Sequence, residues 1–363
     1  MKRNKCIGTL VIVMVVFILF AGGCGSKNTP SSTANTPSSN TPSTTTTTSA
    51  PIELHFSHIT SPVHHLHVEV YDPFAKEVEA KTDGRVKIII HTGASLTPAN
   101  EHYESAASGI VDIAHVVLGY TPGRFPLAEV VELPFMFQSS QHAIKTLTEL
   151  YQTVPEFRNQ FNDVKILWFG SLDPGQFLTT APVKSIGDIK GKKLRSPGPM
   201  QNKVVEILGG IPISMPITDV YDSIDRGIID GAVTTASTID SYRLDEVVKY
   251  VAMGDIYIAP QAVVMNWGAW NKLSPEDQQI IEEIAGRYGA IHGESYDHAG
   301  FGGIDTAKAK NLDIYYFTDT QIEEANRLLA PLVEEWIKDM EKKGYPGREI
   351  YETTIAIRDK YKD

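Results

Sequence analysis

A seven-residue pattern occurs twice in this sequence and constrains the fold more than any other feature. Residues 108–114 read Ser-Gly-Ile-Val-Asp-Ile-Ala, and residues 226–232 read Arg-Gly-Ile-Ile-Asp-Gly-Ala. In each copy a glycine ends a predicted helix, and an apolar strand with an aspartate at the same offset follows. Coincidence among common residues is the alternative, but both copies lie at a helix-to-strand junction. The repeat therefore predicts two similarly built α/β lobes.

Strand-like and helix-like segments alternate from residue 52 onward. A helical stripe of apolar residues ends at Gly84 and is followed by a strand at 86–91, a helix at about 100–108 and a buried strand at 110–117. This order is typical of a parallel α/β sheet. The stripe consists of Leu66, Val70, Phe74 and Val78.

The folded part is too long for one hydrophobic core, since about 310 residues exceed what a single core usually supports. Ser274-Pro-Glu-Asp has the features of a helix start and opens a long helix to about His298, which we expect to bridge both lobes. We place the first α/β lobe at 52–173 plus 260–300. The second α/β lobe then comprises 174–259 plus 301–363.

The N-terminus resembles a bacterial lipoprotein leader. A basic start and an apolar run at 7–20 precede Ala-Gly-Gly-Cys24, so we expect residues 1–23 to be a signal peptide and Cys24 to carry the lipid. In residues 25–50, 19 of 26 are Ser, Thr or Pro, which leaves almost no apolar surface to order them. Residues 24–51 are therefore expected to be an anchor and tether. An ordinary secreted protein cleaved nearby, or an uncleaved anchor, remains the alternative.

Charge and cysteine content exclude several classes of function. The formal net charge is −11, so the chain lacks the basic surface that binds nucleic acid. Both cysteines, Cys6 and Cys24, lie in the first 24 residues, so the folded part has no disulfide framework or thiolate metal site. Phosphate-loop, dinucleotide, nucleophile-elbow and zinc-protease motifs are absent, and we predict no cofactor.

A histidine group near the first strand suggests two alternative functions. His64, His65 and His67 would be the ligands of a metal-capture lipoprotein, although the adjacent His64 and His65 point apart on a helix. An extracytoplasmic hydrolase or lyase would use His58 or His115 as its general base. A hydrophilic helix start beside a cleft explains the group without either function.

Arg195 is the strongest candidate on chemical grounds. It follows Leu194 at the carboxyl end of a short predicted strand, before a Pro-Gly-Pro loop. Open α/β sheets present their functional groups at this end. A guanidinium there can hold a carboxylate through two parallel hydrogen bonds. A surface arginine paired with an acid is the alternative.

Segments spread over residues 52–363 resemble the extracytoplasmic substrate-binding proteins of TRAP transporters, in the dicarboxylate-type family. Each segment alone is weak, but their joint order is specific. They are Asp83-Gly-Arg-Val-Lys-Ile, Gly93-Ala-Ser-Leu, the 108–114 pattern, Gly119-Tyr-Thr-Pro-Gly-Arg-Phe-Pro, Glu132-Leu-Pro-Phe, Ile189-Lys-Gly-Lys-Lys-Leu-Arg-Ser-Pro-Gly, the 226–232 pattern and Trp270-Asn-Lys-Leu-Ser-Pro.

The resemblance implies a two-lobed α/β fold of the periplasmic-binding-protein type II class, with a long helix bridging both domains. It implies a receptor, not an enzyme, that captures an organic acid outside the cytoplasm and delivers it to a TRAP permease, and that is lipid-anchored to the cell membrane or periplasmic. Arg195 matches the family's carboxylate-binding arginine. Gln176 stands where a second family arginine often lies, and Thr234 stands near a common asparagine. These departures favour a monocarboxylate.

Position alone suggests the remaining ligand-binding candidates. His58 and Tyr120 each follow a predicted strand, and Gln176 lies beside the presumed crossing between lobes. Phe177, Thr234 and Trp267 are candidate walls, although packing in the core or hinge explains the aromatic residues at least as well.

Overall fold

The computed structural model describes residues 50–362. The expected signal peptide, the lipid-bearing Cys24 and nearly all of the tether lie outside this range. Within it, every helix is either too short or too polar to cross a bilayer.

The strands of the described chain form two sheets, one of five strands and one of six. We call each sheet with its covering helices a lobe, numbered in chain order. The strands are β1 Ile52–Ser57, β2 Val86–His91, β3 Ile113–Val117, β4 Val164–Ser171, β5 Gly175–Thr179, β6 Lys193–Ser196, β7 Ile211–Ser214, β8 Gly231–Thr235, β9 Tyr250–Met253, β10 Pro260–Asn266 and β11 Asp313–Tyr316.

Both sheets are mixed and not purely parallel. The first has the order β2-β1-β3-β10-β4, and the second has the order β7-β6-β8-β5-β9-β11. In each, three parallel strands lie beside an antiparallel one, β10 or β5, which enters from the other lobe. The chain crosses between lobes at 172–174 and 254–259, and a strand that follows such a crossing runs opposite to its neighbour.

The repeated sequence pattern produces the same hydrogen-bonded frame in both lobes. Gly109 and Gly227 both adopt positive φ, at 80° and 67°. The Asp112 carboxylate accepts from the backbone N–H of His55 at 2.8 Å, and the Asp230 carboxylate accepts from that of Lys193 at 2.7 Å. Each aspartate thus ties the start of its strand, β3 or β8, to the neighbouring parallel strand, β1 or β6.

The helices cover the faces of the two sheets. They are α1 Asp72–Lys81, α2 His102–Ser108, α3 Ser140–Thr153, α4 Pro155–Asn159, α5 Pro199–Ile207, α6 Val220–Asp225, α7 Thr238–Ser241, α8 Trp267–Trp270, α9 Pro275–Ala309, α10 Asp319–Leu329, α11 Pro331–Lys342 and α12 Gly347–Lys360.

The predicted apolar stripe is buried along its whole length, on a π-helical turn at Leu66–Tyr71 that continues into α1. The predicted strand at 110–117 begins only at Ile113. Ile110 is 70% exposed because the left-handed Gly109 turns the chain outward before the strand starts.

Helix α9 spans 35 residues and bridges the lobes. It packs against β4, α3 and α1 of the first lobe and against α7 and β11 of the second. It extends 11 residues beyond the predicted end at His298. A Cβ at Gly303 would lie 1.9 Å from the carbonyl oxygen of Ala236, so a glycine is required where the helix meets the second lobe.

The chain returns to the first lobe only after α10. Helix α10 packs on α5, whereas α12 packs on α3, and the Trp336 indole donates to the carbonyl of Pro126. The sequence-based assignment of all of 301–363 to the second lobe therefore does not describe α12, whose apolar face is covered by the first.

Candidate ligand-binding site

A largely enclosed cavity lies between the lobes, where the segments that follow β3 and β6 meet. Its volume is about 20 Å³. Both lobes and α9 contribute to its wall. The lining residues are Ile59, His64, Val117, Tyr120, Leu172, Arg195, Ile217, Thr234, Ser237, Thr238, Tyr242, Gln261 and Tyr296.

Arg195 is the buried cation of this cavity. It lies on β6, between β7 and β8, and only 2% of its surface is exposed. Its Nε donates to the carbonyl of Met215 at 2.9 Å, and its Nη2 donates to the Tyr120 hydroxyl at 3.0 Å. No ion pair of residues 50–362 includes it. A buried charge without a counterion is costly, so the geometry favours binding of an anion here.

Tyr120 connects Arg195 to the first lobe. It ends a 3-10 turn directly after β3, and its hydroxyl oxygen accepts from Arg195 and from the backbone N–H of Ile217, both at 3.0 Å. Because both bonds use the oxygen as acceptor, the phenolic proton remains available to an acceptor in the cavity. Arg195 and Tyr120 together can donate to both oxygens of a carboxylate.

His64 contributes a neutral side chain to the same cavity. Burial is the main cause that lowers its pKa well below the usual value. Its Nδ1 accepts from the backbone N–H of Leu66 at 3.1 Å, so the neutral ring carries its proton on Nε2. The ring packs edge-on against Tyr242 of the second lobe, with centroids 5.6 Å apart.

Small hydroxyl residues complete the second-lobe wall. Thr234 lies on β8 and donates to the Thr238 hydroxyl at 3.4 Å. Ser237 donates to the Asp173 carboxyl at 2.6 Å. Burial raises the pKa of Asp173 to about 7, against the opposing effect of these hydrogen bonds. Asp173 is absent from the cavity lining and forms no ion pair with Arg195.

Three of the predicted site residues meet in the cavity, namely Arg195, Tyr120 and Thr234. Gln176 is the cross-strand neighbour of Thr234 but lines a different cavity. Its amide oxygen accepts from the backbone N–H of Gly254 at 2.7 Å, and its amide nitrogen donates to Asp255. The amide is thus occupied by the crossing segment.

The structure does not bring His58, Phe177 or Trp267 to this cavity. His58 is buried behind its wall and bonded to Thr60 and His67. Phe177 is fully buried in the second-lobe core. Trp267 is 39% exposed on the first lobe, where its indole donates to the carbonyl of Asn162. His58 and Trp267 directly follow β1 and β10, whereas Phe177 is the middle residue of β5.

The cavity residues that sequence reasoning missed include Tyr242, Gln261 and Tyr296. Tyr242 follows the short α7, and Tyr296 lies in the middle of α9, where spacing gives no sign of a site. Gln261 lies in β10, between otherwise apolar residues. A glutamine in a buried strand is a usable signal, because a buried amide needs partners.

The positions of the histidines support neither metal capture nor general-base catalysis in this cavity. The expectation that His64 and His65 point apart is wrong, since their rings stack with centroids 4.2 Å apart. Their nitrogens nevertheless have separate partners: His65 bonds Ser295 and His64 bonds the backbone, while His67 bonds His58. Residues 50–362 contain no group of three or more potential metal ligands. The other proposed base, His115, lies outside the cavity lining, and burial lowers its pKa to about 3.

Comparison with known proteins assigns the chain to a family. The sequence profile of the bacterial extracellular solute-binding proteins, family 7, matches residues 56–339. The chain belongs to this family. A solute-binding protein of Chromohalobacter salexigens is 30% identical over 219 residues, which cover 59% of this chain and 64% of that protein, less than two thirds of its length.

Solved structures agree with the family and with the fold. A TRAP solute-binding protein from Rhodoferax ferrireducens, in complex with copurified benzoate, has a TM-score of 0.82 at 27% identity and covers 85% of this chain and 98% of its own. One from Bordetella bronchiseptica, with bound mandelate, has a TM-score of 0.79 at 26% identity and covers 86% and 100%. The predicted TRAP receptor family and two-lobed α/β fold are therefore confirmed.

Proposed function

We propose that this protein is an extracytoplasmic receptor that captures an aryl monocarboxylate between its lobes and delivers it unchanged to a TRAP permease. The carrying observation is the buried, unpaired Arg195 in the interlobe cavity. A carboxylate would supply the missing counter-charge through a bidentate pair, which is the strongest contact that an arginine makes with this group.

The charge balance of the cavity supports one carboxylate and not two. Arg195 is the cationic residue among its lining residues, and His64 is held neutral by burial. A second ligand charge would lie beside neutral hydroxyl groups and amides, which repay less of its desolvation cost. Gln176, at the place of the second family arginine, adds no charge and lies outside the cavity.

The walls support a ring-bearing acid. Ile59, Val117, Leu172 and Ile217 provide apolar surface, and tyrosine rings provide flat faces. The cavity volume of about 20 Å³ is far below the range for small-molecule pockets, so the lobes must open to admit an acid of this size. The benzoate and mandelate bound to the two similar TRAP proteins are acids of this kind.

The expected domain boundaries and membrane anchor belong to the same proposal. Closure would occur at the crossings 172–174 and 254–259, with the lobes divided near 173 and 260. Cys24 would carry the lipid and residues 24–51 would tether the receptor to the membrane. The mass of the N-terminal peptide of the mature protein tests the anchor, because cleavage before Cys24 and diacylation give a defined mass.

Mass spectrometry of the small molecules released on denaturation tests the function directly. We expect a carboxylic acid that returns chemically unchanged after rebinding, and a thermal-shift screen of aryl acids should raise the melting temperature of the protein. A turned-over product would identify an enzyme, and a neutral or cationic ligand would contradict the role of Arg195.

A further inference from the structure

A chain of buried side chains links the first-lobe core to the cavity. The Trp168 indole donates to His292 Nδ1 at 3.4 Å, and His292 Nε2 bonds the Gln261 amide oxygen at 2.8 Å. The Gln261 amide nitrogen then donates to the Tyr296 hydroxyl at 3.1 Å. Every member is at most 5% exposed. The chain ends at Tyr296, in the cavity wall.

The direction of this chain is fixed at its start. An indole N–H can only donate, so His292 Nδ1 must accept. Burial keeps the pKa of His292 well below its usual value, so the neutral ring carries one proton, on Nε2. That proton goes to the Gln261 oxygen, which orients the amide so that its NH₂ group faces Tyr296.

The orientation determines what Tyr296 can do. Its oxygen already accepts from Gln261, and no hydrogen bond of the described chain uses its phenolic proton. A buried hydroxyl that lacks an acceptor is costly, so this proton requires an acceptor in the cavity. The relay therefore presents Tyr296 as a directed donor.

We infer that the ligand carries a second, uncharged acceptor oxygen besides its carboxylate, and that Tyr296 recognises it. This inference rests on the proposed function, in which Arg195 and Tyr120 bind the carboxylate. The ligand class is then a hydroxy or oxo aryl acid. A site that hydrogen-bonds a substrate oxygen discriminates against the analogue that lacks it, because its buried polar group is left unpaired.

Calorimetry with two matched pairs of acids tests the inference. The pairs are benzoate with 3-hydroxybenzoate, and phenylacetate with mandelate. In the pair that fits the cavity better, we expect the wild-type protein to bind the hydroxylated acid about ten-fold more tightly than the acid without the hydroxyl group. Tyr296→Phe should reduce this ratio to about one. Tyr288→Phe, on the same helix but bonded to Glu77 outside the cavity, should retain it.

Gln261→Glu tests the relay itself. A carboxylate would accept from both His292 and Tyr296, which draws the phenolic proton away from the cavity. The added negative charge should weaken the binding of all four acids alike. The readout is therefore the affinity ratio within each pair and not the affinity itself. We expect the ratio to fall to about one, as in Tyr296→Phe, while circular dichroism shows an unchanged fold.

Two outcomes would overturn the inference and leave the receptor function intact. One is an unchanged affinity ratio in Tyr296→Phe, whether or not both members of each pair bind more weakly, and the other is a released native acid without hydroxyl or oxo groups. A protein that binds none of the four acids and releases no acid would instead overturn the proposed function, and the inference with it.

Discussion

The two lobes share one backbone frame but differ in the side chain that this frame presents to the cavity region. Asp112 and Asp230 bind the same backbone group in β1 and β6, at His55 and Lys193. Two residues further along each strand, the first lobe has Ser57 and the second has Arg195. Ser57 is a buried hydroxyl beside His102, whereas Arg195 carries the unpaired charge of the cavity.

The histidines are also distributed unequally between the lobes. All eleven histidines lie in residues 55–142 or on α9, and none lies elsewhere in the described second lobe. Burial keeps several of them neutral. The cation of the cavity, Arg195, thus comes from the second lobe, whereas the first lobe contributes the hydroxyl of Tyr120 and the neutral ring of His64.

Acidification should have the largest effect on stability, and it should destabilise the first lobe. For five buried histidines the pKa in the folded state lies below the unfolded value of about 6.5. Folding then excludes protons, so their stabilisation is complete above pH 6.5 and is lost as the pH falls. The pKa is about 2 for His58 and about 3 for His65 and His115. Burial also lowers the pKa of His64 and His292 well below the usual value.

Two buried acids oppose this loss. Burial raises the pKa of Glu132 to about 8 and that of Asp173 to about 7, so acidification from pH 8 stabilises the fold through them. Each group changes stability by at most about 1.4 kcal/mol per pH unit, and the histidines outnumber the two acids, so stability should fall as the pH drops below 6.5.

Hydrogen exchange at pH 7.5, 6.5 and 5.0 measures this effect. Protection should be lost in β1–β3 before β5–β8. His115→Leu should flatten the acid limb of stability, and the exposed His298→Gln is the matched control. Simultaneous loss in both lobes would contradict the comparison.

Removal of the charge should have the next largest effect. Arg195→Ala should weaken aryl-acid binding about a thousand-fold, because truncation of one partner of a buried charge pair costs about 2–5 kcal/mol. Ser57→Ala, at the equivalent position of the first lobe, should change the calorimetric Kd less than three-fold. Similar losses in the two variants would show that the frame, and not the charge, governs binding.

The repeated aspartates should give the smallest effect, and an equal one. Asp112→Ala and Asp230→Ala each remove one charge-assisted acceptor from a strand backbone, at a cost of about 1.5 kcal/mol in the free energy of unfolding. Urea denaturation of both variants measures it. If only one variant lost stability, the two frames would be alike in geometry but would contribute differently to the free energy of unfolding.

The sequence predicted much of the frame and part of the site. The near-repeat and the apolar stripe of α1 correspond to local hydrogen bonds and to burial, so pattern alone located them. Arg195 and Thr234 lie in the last residues of β6 and β8, Tyr120 follows β3, and all three line the cavity. Gln176 failed this positional rule because Gly254 and Asp255, distant in sequence, occupy its amide.

What the sequence determined by itself is local: where helices and strands begin, that two similar lobes exist, and that an arginine ends a strand. The tertiary structure alone decided which side chains face one another across the lobes. Tyr296 lies on a helix 101 residues from Arg195, and its role depends on a proton whose direction is set by Trp168, His292 and Gln261. Such a chain of donors and acceptors depends on distances between elements, which no single segment encodes.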